Sequence, residues 1–190
     1  MSEPKTRQRI REKDSHKAIY EIICLSCAGI ILTISAYGVV ASIMGHIDVV
    51  GATLVNVEVP PPSIFPLYVK PVSILMAAAL GLTFSGFELV RPRMLRYSNT
   101  TYSFIKMVAF AGSALCAYEV MYNFAIWIAQ LSTASLLGVL NPDILQNPFP
   151  NPLTPWNLVF ATKLTTTVLA IGLYTFYFIR SLEKEKMNMT

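Results

Sequence analysis

The sequence predicts an all-α integral membrane protein, a bundle of four helices that cross the lipid bilayer. Four apolar segments lie at 18–45, 72–90, 104–129 and 158–179. Each reaches or approaches the roughly 20 residues that a helix needs to cross the hydrocarbon core. Of 190 residues, 54% are hydrophobic and 14% are charged, a balance outside that of soluble domains. Because backbone polar groups in lipid must be satisfied within each segment, spans of this length are helices rather than strands.

The distribution of Lys and Arg predicts the orientation. Basic residues are concentrated before the first span, between the second and third spans and at the C-terminal end, namely Lys5, Arg7, Arg9, Arg11, Lys13, Lys17, Arg91, Arg93, Arg96, Arg180, Lys184 and Lys186. By the positive-inside rule both termini lie in the cytoplasm, with a basic tail at 1–17, a transmembrane domain at 18–180 and a second tail at 181–190. We expect the first tail, KTRQRIREKDSHK, to be disordered and to touch anionic lipid headgroups rather than nucleic acid.

The two outer connections are rich in proline, which predicts rigid loops. Because proline lacks an N–H and fixes its own φ, a run such as NPDILQNPFPNPLTPWN cannot continue a helix. Stiff segments of this kind suit docking against another surface, and a plain rigid loop is the equal alternative. Upstream of the first proline cluster, the β-branched stretch 46–59 fits a short strand, a loop or an extension of the first helix.

Two charged residues lie deep in the predicted spans, Glu119 in the third and Lys163 in the fourth. Counted from the span ends, both are roughly 8 to 15 Å below the outer surface. An isolated charge in the core costs on the order of 3 kcal/mol, so we expect the two to turn inward and pair. Lys163 snorkelling to the outer interface is the alternative.

Other polar residues share the helical faces of this predicted ion pair. They form a polar seam of Cys116, Tyr122, Asn123 and Thr167. Such a seam is either structural, fixing the register of the helices, or a path for protons or a substrate.

Small residues at helical spacing predict where the helices pack, because they let backbones approach closely in lipid. In the first two spans these packing positions are Gly38, Ser42, Ala77, Gly81 and Ser85. They fit contacts within the bundle and contacts with a partner's helix equally well.

No residue set matches a catalytic or cofactor-binding pattern, so we expect neither a metal nor a cofactor. Cys24 and Cys27 have CxxC spacing, but they lie inside the first span without Gly or Pro between them. Four-helix, quinone-coupled disulfide enzymes keep their cysteines at the outer face instead. The histidines, His16 and His46, lie outside the spans, where they do not supply the ligands of a membrane haem.

The four-span layout, the head KTRQRIREKDSHK and the loop NPFPNPLTPWN resemble the non-catalytic subunits that accompany archaeal ammonia monooxygenase. The resemblance implies a chain that supports the reaction of a larger complex without performing it. The intramembrane His and Asp copper ligands that the catalytic subunits of that family use are absent from this sequence.

The residues themselves favour the same class of function. A small membrane protein without cofactor ligands is expected to be an accessory subunit that stabilises an integral-membrane enzyme complex, such as a monooxygenase or a respiratory complex, by binding other membrane subunits. The alternative is a small oligomeric transporter or proton-coupled carrier that uses Glu119 and Lys163. A membrane thiol oxidoreductase that uses Cys24 and Cys27 is the third hypothesis.

Overall fold

The computed structural model describes residues 5–45, 54, 70–138 and 158–189. Its long helices are α1 (Lys5–Met44), α2 (Pro71–Met94), α3 (Asn99–Leu136) and α4 (Leu158–Met187). In this described part of the chain, all four are long and apolar enough to cross a membrane. The prediction of an all-α chain with four spans is therefore confirmed, and the helices fit a multi-pass membrane protein. The proline-rich connections and, apart from the helical Leu54, the 46–59 stretch lie outside the described residues.

The helices are longer than the apolar segments that predicted them. Helix α1 already begins at Lys5, so the expected disordered tail is helical over most of its length. Helix α4 continues to Met187 and takes in most of the expected C-terminal tail. The physical reason is that Lys, Arg and Glu are good helix formers, so a helix does not end where its lipid-crossing part ends.

Local signals set several helix ends. Pro71 occupies the first turn of α2, where its missing N–H is of no consequence. The Ser98 side chain accepts a hydrogen bond from the Thr101 N–H at 3.2 Å and caps α3. After α3, Gly138 has a φ of 68°, the left-handed conformation in which glycine commonly ends a helix.

The helices pack in the order α1, α2, α4, α3, with α4 between α2 and α3. Tyr20 of α1 contacts Phe84 of α2, with ring centroids 5.9 Å apart, and Cys27, further along α1, lies beside Gly81, which precedes Phe84 in α2. The contacts run in opposite order along the two helices, so the helices are antiparallel. Ion pairs at the C-terminal end of α4 join it to the C-terminal end of α2 and the N-terminal end of α3. The direction therefore alternates along the chain, and the basic helix ends gather at one end of the molecule, which we call the basic end.

The predicted bundle is open rather than closed. Helices α1 and α3 stand at the two edges of the row and do not pack extensively against each other. In the most apolar 18-residue window of each span, 6% of α1 and 6% of α3 is buried, against 22% of α2. In these windows the two edge helices therefore contribute few buried residues.

The largest buried side chains lie at the basic end. Tyr102, Phe178, Ile179 and Leu182 are at most 2% exposed and form the core cluster. The Tyr102 hydroxyl donates a hydrogen bond to the Met94 carbonyl at 2.6 Å, which ties the start of α3 to the end of α2. The tightly packed part of the protein is thus next to the α2–α3 turn.

Candidate functional site

A polar network fixes the helices at the basic end. The Arg91 guanidinium lies 3.0 Å from a carboxylate oxygen of Glu88 and 3.0 Å from one of Glu185. It also donates to the Ser181 hydroxyl at 3.2 Å and lies 5.7 Å from the Phe178 ring centroid. Arg91 thereby joins α2 to α4 through charge, hydrogen bonding and a cation–π contact.

A second ion pair at this end attaches α3 to α4. The Lys106 ammonium lies 2.7 Å from a carboxylate oxygen of Glu183. Both partners are one-quarter exposed, so water screens their attraction only in part. Together with the core cluster, the two networks account for the fixed geometry of α2, α3 and α4 at the basic end.

Glu119 and Lys163, predicted to pair, do not form an ion pair with each other in the described part of the structure. Lys163 lies on the side of α4 that faces α2, where its ammonium donates to the Ser73 hydroxyl at 2.8 Å. Glu119 is exposed on α3. The rise per residue placed Glu119 and Lys163 at comparable depths, but it did not specify which side of its helix each residue occupies.

The predicted polar seam divides between two surfaces. Asn123 is 7% exposed and Cys116 is partly buried. Tyr122 is 52% exposed, like its neighbour Glu119. On α4, the Thr167 hydroxyl donates to the Lys163 carbonyl at 2.8 Å, a bond within its own helix. The seam residues therefore differ in exposure, and no hydrogen bond joins them to one another among the described residues.

The middle of α3 carries a polar patch inside the span, which we define as Tyr118, Glu119 and Tyr122. Tyr118 is 63% exposed, and its ring is stacked on that of Tyr122 with centroids 6.3 Å apart. Glu119 makes no salt bridge among the described residues. A carboxylate and two phenol groups on one exposed face of a membrane helix require a polar neighbour or access to water.

The small residues of α1 lie where a close approach occurs. Gly38 is buried, and a Cβ added there would come 2.7 Å from Cδ1 of Leu54. Ser42 is 2% exposed and donates to the Gly38 carbonyl at 2.7 Å. These two predicted positions therefore contact this chain's own residues.

The corresponding residues of α2 lie partly against α1. A Cβ on Gly81 would come 2.6 Å from Sγ of Cys27 on α1, so this glycine allows the two helices to touch. Ser85 is fully buried, with its hydroxyl bonded to the Gly81 carbonyl at 2.7 Å. Ala77 is exposed, and its neighbour Ala78, at 5% exposure, takes the buried position.

Sequence reasoning expected the third and fourth spans to meet through Glu119 and Lys163, but it missed the close contact between α3 and α4 at Gly172. A Cβ on Gly172 would collide with the Ser113 hydroxyl oxygen and lie 3.2 Å from the Ala109 carbonyl oxygen. Ser113 is 5% exposed, and its hydroxyl has no partner among the described residues. The available signal was a single glycine inside the fourth apolar segment, which resembles many glycines that have no such role.

A groove opens at the end of the molecule opposite the basic end. Its volume is about 390 Å³, and helices α2, α3 and α4 line it with Ser73, Met76, Ala77, Leu80, Trp127, Thr162, Lys163, Thr166 and Thr167. The walls are mostly apolar, and Lys163 is their one charged residue. The Trp127 indole N–H is buried without an acceptor among the described residues.

In the described residues, no group of three or more His, Cys, Asp or Glu side chains could hold a metal ion. Cys24, Cys27 and Cys116 are free thiols. Comparisons of the chain with protein-family models, curated proteins and solved structures found no match. The arguments about function therefore rest on the chemistry of this chain.

Proposed function

We propose that the chain is a non-catalytic accessory subunit of a larger integral-membrane complex and that its partners cover the exposed faces of α1 and α3. The observation that carries the proposal is the polar patch of Tyr118, Glu119 and Tyr122 on the exposed side of α3. A helix face of this composition is poorly suited to hydrocarbon.

The energetic reason lies in the solvation of the Glu119 carboxylate. In the hydrocarbon region a charged side chain is costly unless it is paired or reaches water. The partner that the sequence predicted for Glu119, Lys163, is instead bonded to Ser73. A basic or hydroxyl side chain on a partner's helix would satisfy Glu119 and both tyrosine hydroxyls.

The open order of the helices supports the same proposal. Since α1 and α3 stand at opposite edges of the row, the chain has two lateral faces available for different neighbours. The face of α1 away from α2 is apolar, with Leu25 73% and Leu32 70% exposed. A scaffold that joins two membrane subunits needs two such faces, one on each edge.

The orientation of the proposed subunit follows from its basic end. Arg91, Lys106, Lys184 and Lys186 lie at the helix ends gathered there, so the positive-inside rule places this end and both termini in the cytoplasm. The proline-rich connections then face the other side. The sequence resemblance makes a membrane monooxygenase of the ammonia-oxidising type the first complex to examine.

The two alternative functions have less support. A proton-coupled carrier would need Glu119 and Lys163 on one path, whereas Glu119 is exposed on α3 and Lys163 is hydrogen-bonded to Ser73 of α2. A thiol oxidoreductase would need an accessible CxxC pair, but Cys27 is packed at the Gly81 contact between α1 and α2. We therefore propose neither.

The test is the size and composition of the native assembly when Glu119 is changed. After extraction in a mild detergent, blue-native electrophoresis of the wild-type chain is expected to give a band far above its 21.1 kDa mass, with unlike membrane subunits in it. Glu119→Leu is expected to release those subunits, because the partner's polar group would lose its counterpart. Glu119→Gln, which keeps hydrogen bonding, is expected to release fewer.

The matched control is Arg93→Gln, which removes an exposed charge from α2, outside the proposed partner faces of α1 and α3. It should leave the assembly intact. If Glu119 simply faces lipid, Glu119→Leu will leave the assembly unchanged or improve its yield. That result, or an assembly that contains this chain alone, contradicts the proposal.

A further inference from the structure

The groove around Lys163 is not needed for the proposed role in assembly and has its own chemistry. It combines a cation near one end of the helices with a mostly apolar wall below it. Lys163 lies five residues into α4, which corresponds to about 8 Å along the helix axis. Its flexible chain can therefore hold its charge near the level of the lipid headgroups.

The positive charge here is not compensated within the described part of the chain. Neither Lys70, which precedes the first turn of α2, nor Lys163 forms a salt bridge with a described carboxylate. Ser73 contacts both lysines, because its hydroxyl accepts a hydrogen bond from the Lys163 ammonium at 2.8 Å and its backbone N–H donates to the Lys70 carbonyl at 2.8 Å. The first turn of α2 adds the partial positive charge of a helix N-terminus. Two cations held together beside a helix N-terminus favour an anion.

The shape of the groove identifies the kind of anion. Met76, Ala77 and Leu80 continue from Ser73 along α2 away from the lysines. Ala77 is exposed and Leu80 is 37% exposed, so the groove opens sideways to lipid. Its volume of about 390 Å³ is within the roughly 300–1,000 Å³ of ligand sites. A small soluble anion would leave this apolar wall unused.

We propose that the groove binds an anionic phospholipid, with its phosphate at Lys163 and Lys70 and one acyl chain along Ala77 and Leu80. The lysines supply charge, and the helix wall supplies apolar contact for the chain. Basic pockets between membrane helices suit lipid headgroups in the same physical way. This site is independent of the polar patch on α3.

The experiment measures lipid bound to the purified full-length chain by native mass spectrometry, with phosphatidylglycerol or phosphatidylcholine added to the detergent. The wild-type chain is expected to retain phosphatidylglycerol in preference to phosphatidylcholine. Lys163→Gln should weaken the binding of phosphatidylglycerol by about fivefold, the effect of one lysine near a membrane surface. Lys163→Arg should retain it. The control Lys184→Gln, which removes an exposed lysine from the other end of the same helix, should weaken the binding less, because no apolar groove wall adds to its attraction for the headgroup.

A second variant tests the acyl-chain part of the site without changing any charge. Ala77→Phe should fill the groove and lower lipid retention, while Ala129→Phe, at an exposed position on α3, should not. Equal binding of the two lipids, or unchanged binding in Lys163→Gln or Ala77→Phe, overturns the proposal. So does competition by millimolar inorganic phosphate, which would mean a site for a free anion. Loss of partner subunits in Lys163→Gln with unchanged lipid binding also overturns it and assigns Lys163 to a partner's carboxylate.

Discussion

The contact at Gly172 gives a quantitative prediction about the pairing of α3 and α4. In Gly172→Ala the new methyl group would collide with the Ser113 hydroxyl and lie 3.2 Å from the Ala109 carbonyl oxygen. The hydroxyl can rotate away in part, but a backbone carbonyl moves only if α3 moves. Overpacking of this kind costs about 2 kcal/mol, and the better helix propensity of alanine returns about 0.8 kcal/mol. We expect a net destabilisation of about 1 kcal/mol.

A second substitution tests whether the collision with the Ser113 hydroxyl causes the loss of stability in Gly172→Ala. Because the Ser113 hydroxyl has no partner in the described residues, Ser113→Ala alone should change the free energy of unfolding by less than about 0.5 kcal/mol. Combined with Gly172→Ala it removes the nearest colliding atom, so it should recover part of the loss, while the contact with the Ala109 carbonyl oxygen at 3.2 Å remains. The double-mutant cycle then gives a favourable coupling between the two positions.

The assay is unfolding of the purified chain in micelles by increasing fractions of a denaturing detergent, followed by tryptophan fluorescence. Gly112→Ala is the matched control, since a Cβ there meets nothing within 4 Å. It should leave stability unchanged or raise it slightly. If Gly172→Ala is as stable as Gly112→Ala, or if Ser113→Ala fails to rescue it, the close contact between α3 and α4 does not exist.

Three further predictions concern other contacts and use the same unfolding assay. Gly81→Ala should destabilise the chain by about 1 kcal/mol through its collision with Cys27, and Cys27→Ala should rescue it; no rescue would refute the α1–α2 contact. Arg91→Ala should cost about 1–2 kcal/mol, reduced from the value of a buried pair because its side chain is 31% exposed, and 1 M salt should shrink the difference from the wild type. Tyr102→Phe should cost about 1 kcal/mol, because the Met94 carbonyl loses one of its donors; equal stability would refute that hydrogen bond.

The number of spans was predictable from the sequence because a helix that crosses lipid needs a long run of apolar side chains. The positions of the helix ends were not predictable in this way. Leu182 shows the difference. Composition placed it in a cytoplasmic tail, since Lys and Glu surround it, yet it is fully buried in the core cluster. Its burial depends on α4 continuing past the lipid-crossing part to meet the α2–α3 turn, which is a tertiary contact that no window of the sequence contains.

The predicted ion pair between Glu119 and Lys163, which the structure does not form, shows a second limit. The rise per residue gives the depth of a side chain, but neighbouring residues point about 100° apart around the helix axis. Whether two charges meet depends on which helices are neighbours and how each is rotated. Here α4 lies between α2 and α3, so a residue on α4 has two choices of partner, and Lys163 faces α2. The sequence identified both unusual residues but did not distinguish these arrangements.

The two ends of the molecule differ: the contacts at the basic end stabilise the chain, whereas the groove at the other end is the proposed binding site. At the basic end a short turn joins α2 to α3, and the core cluster and Arg91 hold three helices together. At the other end the connections are the long proline-rich ones, and the groove beside Lys163 separates the helices. If the helices closed over the groove, the Lys163 ammonium would not reach lipid. If the helices separated at the basic end, the core cluster that holds α2, α3 and α4 together would be lost. Substitutions at the basic end should therefore lower the stability of the chain itself, whereas those at the groove or on the α3 patch should change what the chain binds.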